Sequence, residues 1–287
     1  GVHDPITIRS VVLKKGDEKV ALVAADLLGL MKPDIEEIRA MLPEFRDDLV
    51  IVGATHVHSA PDTMGMWGGV GDDYMEFIRQ AVAITVREAD MSAVPARMKA
   101  GAGEIPDGAI KNVRITDMLD PRVEVLQFVS RADGAAIATL VNYACHPTHH
   151  GGEPTISAGY PGVLANEMSA RGCPFTLFLN GASGNIHTSD PCTMGTDMSQ
   201  EKAGKILAED VQQIIEGMTF RADAQLRMAS STVALPYRRV TEDEIAGRAR
   251  GAQRFVDPAI YDRNIPALAD KIKQRGSHLV EIQALLL

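Results

Sequence analysis

Leu49-Val50-Ile51-Val52-Gly53-Ala54-Thr55-His56-Val57-His58-Ser59 runs from an apolar, β-branched stretch directly into two histidines. The first six residues have the length and composition of a buried strand, and the polar residues that follow mark its end. Pro61 and a glycine-rich run through Gly65, Gly68, Gly69 and Gly71 come next. The order is therefore strand, histidines, loop. Upstream, Thr7 to Leu13 and Lys19 to Ala25 flank Gly16-Asp17 and read as a hairpin whose second strand ends at Asp26. Between the hairpin and the histidine strand, Pro33 to Leu42 carries Asp34, Glu36 and Glu37 near its start and apolar Ile35, Ile38, Met41 and Leu42, which predicts a short amphipathic helix.

Downstream, Tyr74 to Ala89 reads as a helix, and Val123 to Ser130 and Ala135 to Tyr143 as strands joined across Asp133-Gly134. The second of these strands runs into Cys145-His146-Pro147. Pro161 to Arg171 predicts a helix with proline at its start, and Phe175 to Leu179 a strand that ends at Asn180-Gly181-Ala182-Ser183-Gly184-Asn185. Gln200 to Met218 predicts a long helix, and Thr241 to Gln274 is expected to be mostly helical. The mixture of hairpins and helices predicts one α/β domain over residues 1–287, a layered fold with a mixed β-sheet flanked by helices, rather than a strict Rossmann alternation.

The 287 residues are 45% hydrophobic and 23% charged, an ordinary globular composition with enough chain for a sizeable core. The net charge of −9 provides no overall basic field for a phosphate backbone, which argues against a nucleic-acid partner. Asp26 interrupts the longest apolar run, Val20 to Leu30, so no transmembrane segment is expected. Three cysteines, Cys145, Cys173 and Cys192, are too few for a disulfide framework and leave the compartment, cytoplasmic or secreted, open. The text starts at Gly1 inside strand-like sequence and stops within Ala284 to Leu287, and it is read as a fragment of a longer chain with no leader visible.

Three strand ends carry the chemistry, at His56 and His58, at His146, and at Ser183. In extended backbone, residues two apart point to one face, so His56 and His58 suit either two metal ligands or one ligand beside an acid/base group. His146, His149 and His150 add a second cluster, and five of the chain's eight histidines fall in these two segments. Imidazole clustering of this kind suits a zinc-like ion. Ser183 lies in a small-residue turn that lets backbone amides approach a substrate, and it does not match the Gly-x-Ser-x-Gly nucleophile elbow. Asp26 reads as a metal ligand, a partner to a histidine or a helix cap. Arg114 reads either as a group that holds a carbonyl or carboxylate or as a solvated surface arginine. Cys145 and His146 are adjacent, so their side chains point to opposite faces of a strand, and Cys145 reads as a small core residue. Trp67 with Met64, Met66 and Met75 reads as ordinary packing or as an apolar lid over a lipid-like substrate. His3, His187 and His278 carry no site reading of their own.

Thr55-His56-Val57-His58-Ser59-Ala60-Pro61 resembles the THxHSxP motif of the neutral/alkaline, non-lysosomal ceramidase family. Asn112 to Arg114, Val141 to Thr148 and Phe178 to Asn185 agree with that family in order and approximate spacing. The resemblance covers about residues 1–190, and it implies a zinc-dependent amidohydrolase with an α/β catalytic domain. By position it implies His56 and His146 as Zn2+ ligands, with His58 contacting substrate or stabilising the transition state. Arg114 would then orient the substrate, and Ser183 would be the active-site serine. The implied reaction splits a linear amide, with the N-acyl bond of ceramide the leading candidate. A small polar amide or ester as substrate, and a non-enzymatic binding protein on the same scaffold, are the alternatives. The family's further ligands, a Glu and a Tyr, have no counterpart in Ser277 to Leu287, and Gly159 stands where relatives commonly carry Asp. The interval from Arg114 to Pro121 is also shorter than in ceramidases.

Overall fold

The structure is a computed structural model, described for residues 1–66, 68–150, 154–188, 198–222, 224–237, 239–246, 248, 266, 269–270, 273 and 277–287. β1 (Ile8–Lys15) and β2 (Glu18–Ala25) form the expected antiparallel hairpin, with Gly16 in the left-handed region at the turn. The chain then crosses over through α1 (Lys32–Ala40) to β3 (Val50–Ala54), which lies parallel to β2 with Ala54 beside Ala25. A parallel neighbour requires such a crossover, and it brings both strand ends to the same edge. α2 (Asp72–Met91) then returns along the same face.

The second half repeats this logic. β4 (Ala96–Glu104), a short β5 (Lys111–Asn112), β6 (Arg122–Ser130) and β7 (Ala136–Tyr143) are followed by α3 (Gly159–Ala170) and β8 (Thr176–Asn180). β7 and β8 are parallel, with Tyr143 beside Asn180, so a second pair of strand ends is aligned. A short β9 (Ile186–His187) pairs with β5, and α4 (Gln200–Gly217) follows. β10 (Arg227–Pro236) and β11 (Ser277–Leu286) form a separate antiparallel ribbon, with a single-turn α5 (Glu242–Ile245) after the first of them.

The side-chain period of two sorts the core into layers. Val20, Leu22 and Ala24 of β2 pack with Ala138, Leu140 and Leu177 of the second sheet, whereas Ala21 and Val23 face Ile38, Val82 and Val86 on α1 and α2. On the second sheet Val125, Val141 and Phe178 turn the other way, towards Leu164, Leu207 and Val211 on α3 and α4. The α/β layering holds, and the single sheet expected from the sequence is divided into a three-stranded sheet, β1-β2-β3, and a four-stranded sheet, β4-β6-β7-β8, packed face to face between two helical layers. Both sheets mix parallel and antiparallel pairs. Leu177 is fully buried between them, and truncating such a residue to Ala costs about 2–5 kcal/mol.

β4 has no clear strand signature because its sequence, Arg97-Met98-Lys99-Ala100-Gly101-Ala102-Gly103, lacks β-branched residues. The reason is the approach of α4: a Cβ on Gly101 would lie 2.5 Å from Met218, and one on Gly103 would lie 2.9 Å from Ile214. Helix packing has displaced the usual side chains. β10 pairs with a strand some fifty residues away, so neither has the local turn that reveals a hairpin. The helical expectation for Thr241 to Gln274 falls mostly outside the described residues, with α5 and its Thr241/Glu244 capping box the main described part. Among the described residues no helix is long and apolar enough to cross a membrane.

Candidate metal and hydrolytic site

The two parallel strand pairs deliver the candidate residues to a common edge. At the end of β3, the Thr55 amide donates to the Ala25 carbonyl at 2.8 Å and the Thr55 hydroxyl to Asp26 Oδ1 at 3.2 Å. Asn180, at the end of β8, donates through Nδ2 to the Thr55 carbonyl at 3.2 Å, which ties one sheet's end to the other's. His56 then adopts a left-handed backbone with φ +68°, outside the strand. The two histidines therefore do not converge through extended backbone, as their spacing suggests. The chain turns at His56, and the rings meet edge to face with centroids 4.9 Å apart.

His56 Nδ1 lies 2.6 Å from the Leu28 carbonyl. A carbonyl only accepts, so Nδ1 carries the proton and the Nε2 lone pair is left for a ligand or ion. The His58 amide donates to the Pro147 carbonyl at 3.2 Å, and the His146 amide to the Ile186 carbonyl at 2.8 Å. These bonds lace the His58 loop to the segment after β7, and that segment to β9. The ligand atoms of His56, His58 and His146 consequently lie within 4.8 Å of one another. His58 Nε2 and His146 Nε2 are 2.8 Å apart. His187, on β9, stacks on His146 with centroids 4.7 Å apart and an interplanar angle of 13°.

Burial and the crowding of imidazoles disfavour protonation. The His58 pKa is pushed down to about 4, first by burial and then by His56 and His187. Burial pushes the His146 pKa down to about 3, with smaller contributions from His58, His187 and His56. Both rings are neutral at pH 7, the form in which imidazole binds a cation. Tetrahedral zinc with Zn–N of about 2.05 Å separates two ligand nitrogens by about 3.3 Å. The ligand atoms of His56 and His146 lie within 4.8 Å of one another, a spacing compatible with two such ligands. His146 Nδ1 is buried against the Ser183 backbone, which works against the fall of its pKa. The donor set fits a zinc-like ion.

Ser183 is buried in the turn that follows β8, and its carbonyl accepts from the Ile186 amide at 3.0 Å. Arg114 is exposed; its amide donates to Asn112 Oδ1 at 2.9 Å. The same Asn112 oxygen accepts from Ile115 N at 2.8 Å and from Asn185 Nδ2 at 3.0 Å, so Asn112 joins the Arg114 segment to the Ser183 turn. Asn112 enters the sequence reading only as the start of the Asn112 to Arg114 segment, with no role of its own, and His187 has no site reading there. The two-residue pairing of β5 with β9, which sets Lys111 opposite His187, brings His187 to the site.

Asp26 is neither a helix cap nor one of the grouped histidine ligands. It is 1% exposed and accepts from the Thr7 amide at 3.0 Å, the Thr7 hydroxyl at 2.7 Å and Arg9 Nη1 at 3.2 Å, besides Thr55. Burial raises its pKa against the pull of Arg9. Its link to the site is the Thr55 hydroxyl, one residue before His56. His149 turns away to the Met198 carbonyl and the Thr188 hydroxyl, both at 3.2 Å, and His150 lies against His3. Neither joins the grouped histidines. Cys145 is a buried core residue with its pKa pushed up to about 12 by burial, while Cys192 lies outside the described residues. Met64 and Met75 are half-buried and Met66 is exposed, on a loop whose Met66 and Gly69 amides donate to Asp62; Trp67 lies outside the described residues. Gly159 has φ +60°, and a Cβ there would lie 3.2 Å from Val57 Cγ1. An aspartate would be strained at this position, so the glycine follows from the local backbone.

No protein-family model and no curated protein sequence matches the chain. Solved structures do. A ceramidase complexed with C2 superposes with a TM-score of 0.69 at 19% identity, over 82% of this chain and 42% of that one. A neutral ceramidase from Pseudomonas aeruginosa superposes with a TM-score of 0.68 at 18% identity, over 82% and 43%. The chain has the fold of these neutral ceramidase structures and spans less than half of their length.

Proposed function

We propose that the chain is a single catalytic domain of a metal-dependent amidohydrolase, with the N-acyl bond of ceramide as its leading substrate and zinc as its metal. The observation that carries this reading is the convergence of half-buried His56, His58 and His146, the last two neutral at pH 7, at the strand ends of a fold similar to that of neutral ceramidases. In this reading His56 and His146 hold the ion and His58 stands beside it. Zinc bound there supplies a water of lowered pKa and polarises the substrate carbonyl.

The chain's own residues supply the rest. Addition of water to the amide carbon moves negative charge onto the former carbonyl oxygen. His58 and Ser183 donate hydrogen bonds to that oxygen as the charge develops, an interaction stronger in the transition state than in the ground state. Arg114 orients the substrate from the segment that Asn112 ties to the Ser183 turn. Collapse of the adduct breaks the C–N bond, and the amine leaves with a proton as fatty acid and sphingosine are formed. Release of fatty acid from a short-chain fluorescent ceramide tests this reading. Turnover that a chelator abolishes, zinc restores and His146→Ala removes is the expected result.

The direct His58–His146 contact favours one alternative, a non-enzymatic binding protein in which the two neutral rings satisfy each other without an ion. Stable ligand binding with no turnover of any ceramide, small amide or ester at saturating zinc would select that alternative.

A further inference from the structure

A cleft of about 1120 Å³ lies away from the histidines, between α2, the edge strand β1 and the start of β4. Ala138, on its wall, and Tyr143, near the histidine end of the same strand, are five rises apart, about 17 Å. The cleft extends along all of β1 from Ile8 to Lys15. Its floor is apolar, with Val11, Leu13, Met98, Phe128, Phe175 and Leu226 contributing.

Its charge runs against that of the whole chain. Lys14, Lys15, Arg97, Arg131 and Arg221 line the cleft, and Glu88 is the one acidic side chain among its described lining residues, although the chain as a whole carries −9. Lys14 is paired with Asp90 at 2.8 Å, and Lys15 donates to the Ala224 carbonyl. Arg97 lies over the Phe220 ring, 3.9 Å from its centroid. Among the described residues none of Arg97, Arg131 and Arg221 has a carboxylate partner, and all are exposed. A long apolar trough with unneutralised guanidinium groups at its rim is complementary to an amphiphile with one anionic head, since guanidinium pairs bidentately with a carboxylate while the trough removes the chain from water.

We propose that this cleft binds a long-chain carboxylate, with the tail along β1 and the head at Arg97, Arg131 and Arg221. The site is independent of the histidines and of the hydrolase reading. The test is titration of the intact protein with cis-parinaric acid, a fluorescent long-chain carboxylate, followed by competition. The expected result is saturable binding displaced by oleate, at least tenfold less well by oleyl alcohol, and not by acetate. Arg131→Glu combined with Arg221→Glu, both on the surface, raises the dissociation constant at least tenfold, and Ala89→Trp, which fills the trough from α2, abolishes binding. His56→Ala leaves it unchanged. No binding to the wild-type chain, wild-type affinity in the paired arginine variant, or loss of binding in His56→Ala with retention in Ala89→Trp would each overturn the proposal. The last outcome would place the amphiphile at the histidines instead.

Discussion

His58 Nε2 and His146 Nε2 face each other at 2.8 Å across 88 residues of sequence. Two loops hold them there, one after β3 and one after β7, laced together by the His58 amide on the Pro147 carbonyl. The proposed roles separate these rings, because only His146 is assigned to the ion. His58→Ala is expected to keep the metal and lower kcat by about 10²–10³, the size of one lost oxyanion donor. His56→Ala and His146→Ala are expected to lose metal and activity together. Elemental analysis beside steady-state kinetics checks both. Loss of metal in His58→Ala would make it a third ligand.

Acid should weaken the metal-free protein before most carboxylates titrate. An unfolded histidine has a pKa near 6.5, whereas His58 and His146 sit at about 4 and about 3 in the fold. Between those values the unfolded chain binds protons that the folded chain refuses. The stability held above pH 6.5 is therefore lost as pH falls towards 4 and below, with a slope of up to about 2.7 kcal/mol per unit for the two rings. Urea unfolding at pH 7.5, 6 and 5 on metal-free protein measures it. A flatter profile is expected when both rings are replaced by Ala.

His187 stacks flat on His146 and is 4% exposed, so it fixes the ring plane from behind. His187→Phe keeps the stack and is expected to retain metal affinity, whereas His187→Ala is expected to weaken it by about 10–100-fold, as loss of an orienting neighbour does. Zinc titration by calorimetry separates the two. Equal affinity in both variants would show that the stack orients nothing.

Gly159 opens α3 at φ +60°, and a Cβ there would press on Val57, which lies between the two site histidines in sequence. Gly159→Ala and Gly159→Asp are each expected to cost about 1–3 kcal/mol of unfolding free energy. Chemical denaturation reads the change directly. An unchanged midpoint for Gly159→Asp would mean the backbone there adapts freely.

Strands whose signals are local could be read from the sequence. The β1–β2 hairpin carries Gly16-Asp17 at its turn, and the β6–β7 hairpin carries Asp133-Gly134. The helices α1 to α4 show their apolar spacing or their caps. β4, with glycines under α4, and the distant pair β10–β11 gave no such signal, because their pairing depends on tertiary packing. The division into two sheets was equally hidden, since alternation along β2 tells which side chains share a face and not what covers that face. At the site, His56, His58 and His146 were visible as polar residues ending apolar runs. His187 was not, because a two-residue strand pair brings it in, and the bridging role of Asn112 shows only in its hydrogen bonds.

The most direct test of the central claim is metal stoichiometry by elemental analysis after zinc loading and dialysis, on the wild-type chain and on His146→Ala. The proposed site predicts about one zinc per wild-type chain and none in the variant. No bound transition metal in the wild type, or equal zinc in both, would contradict a metal site built on His56 and His146.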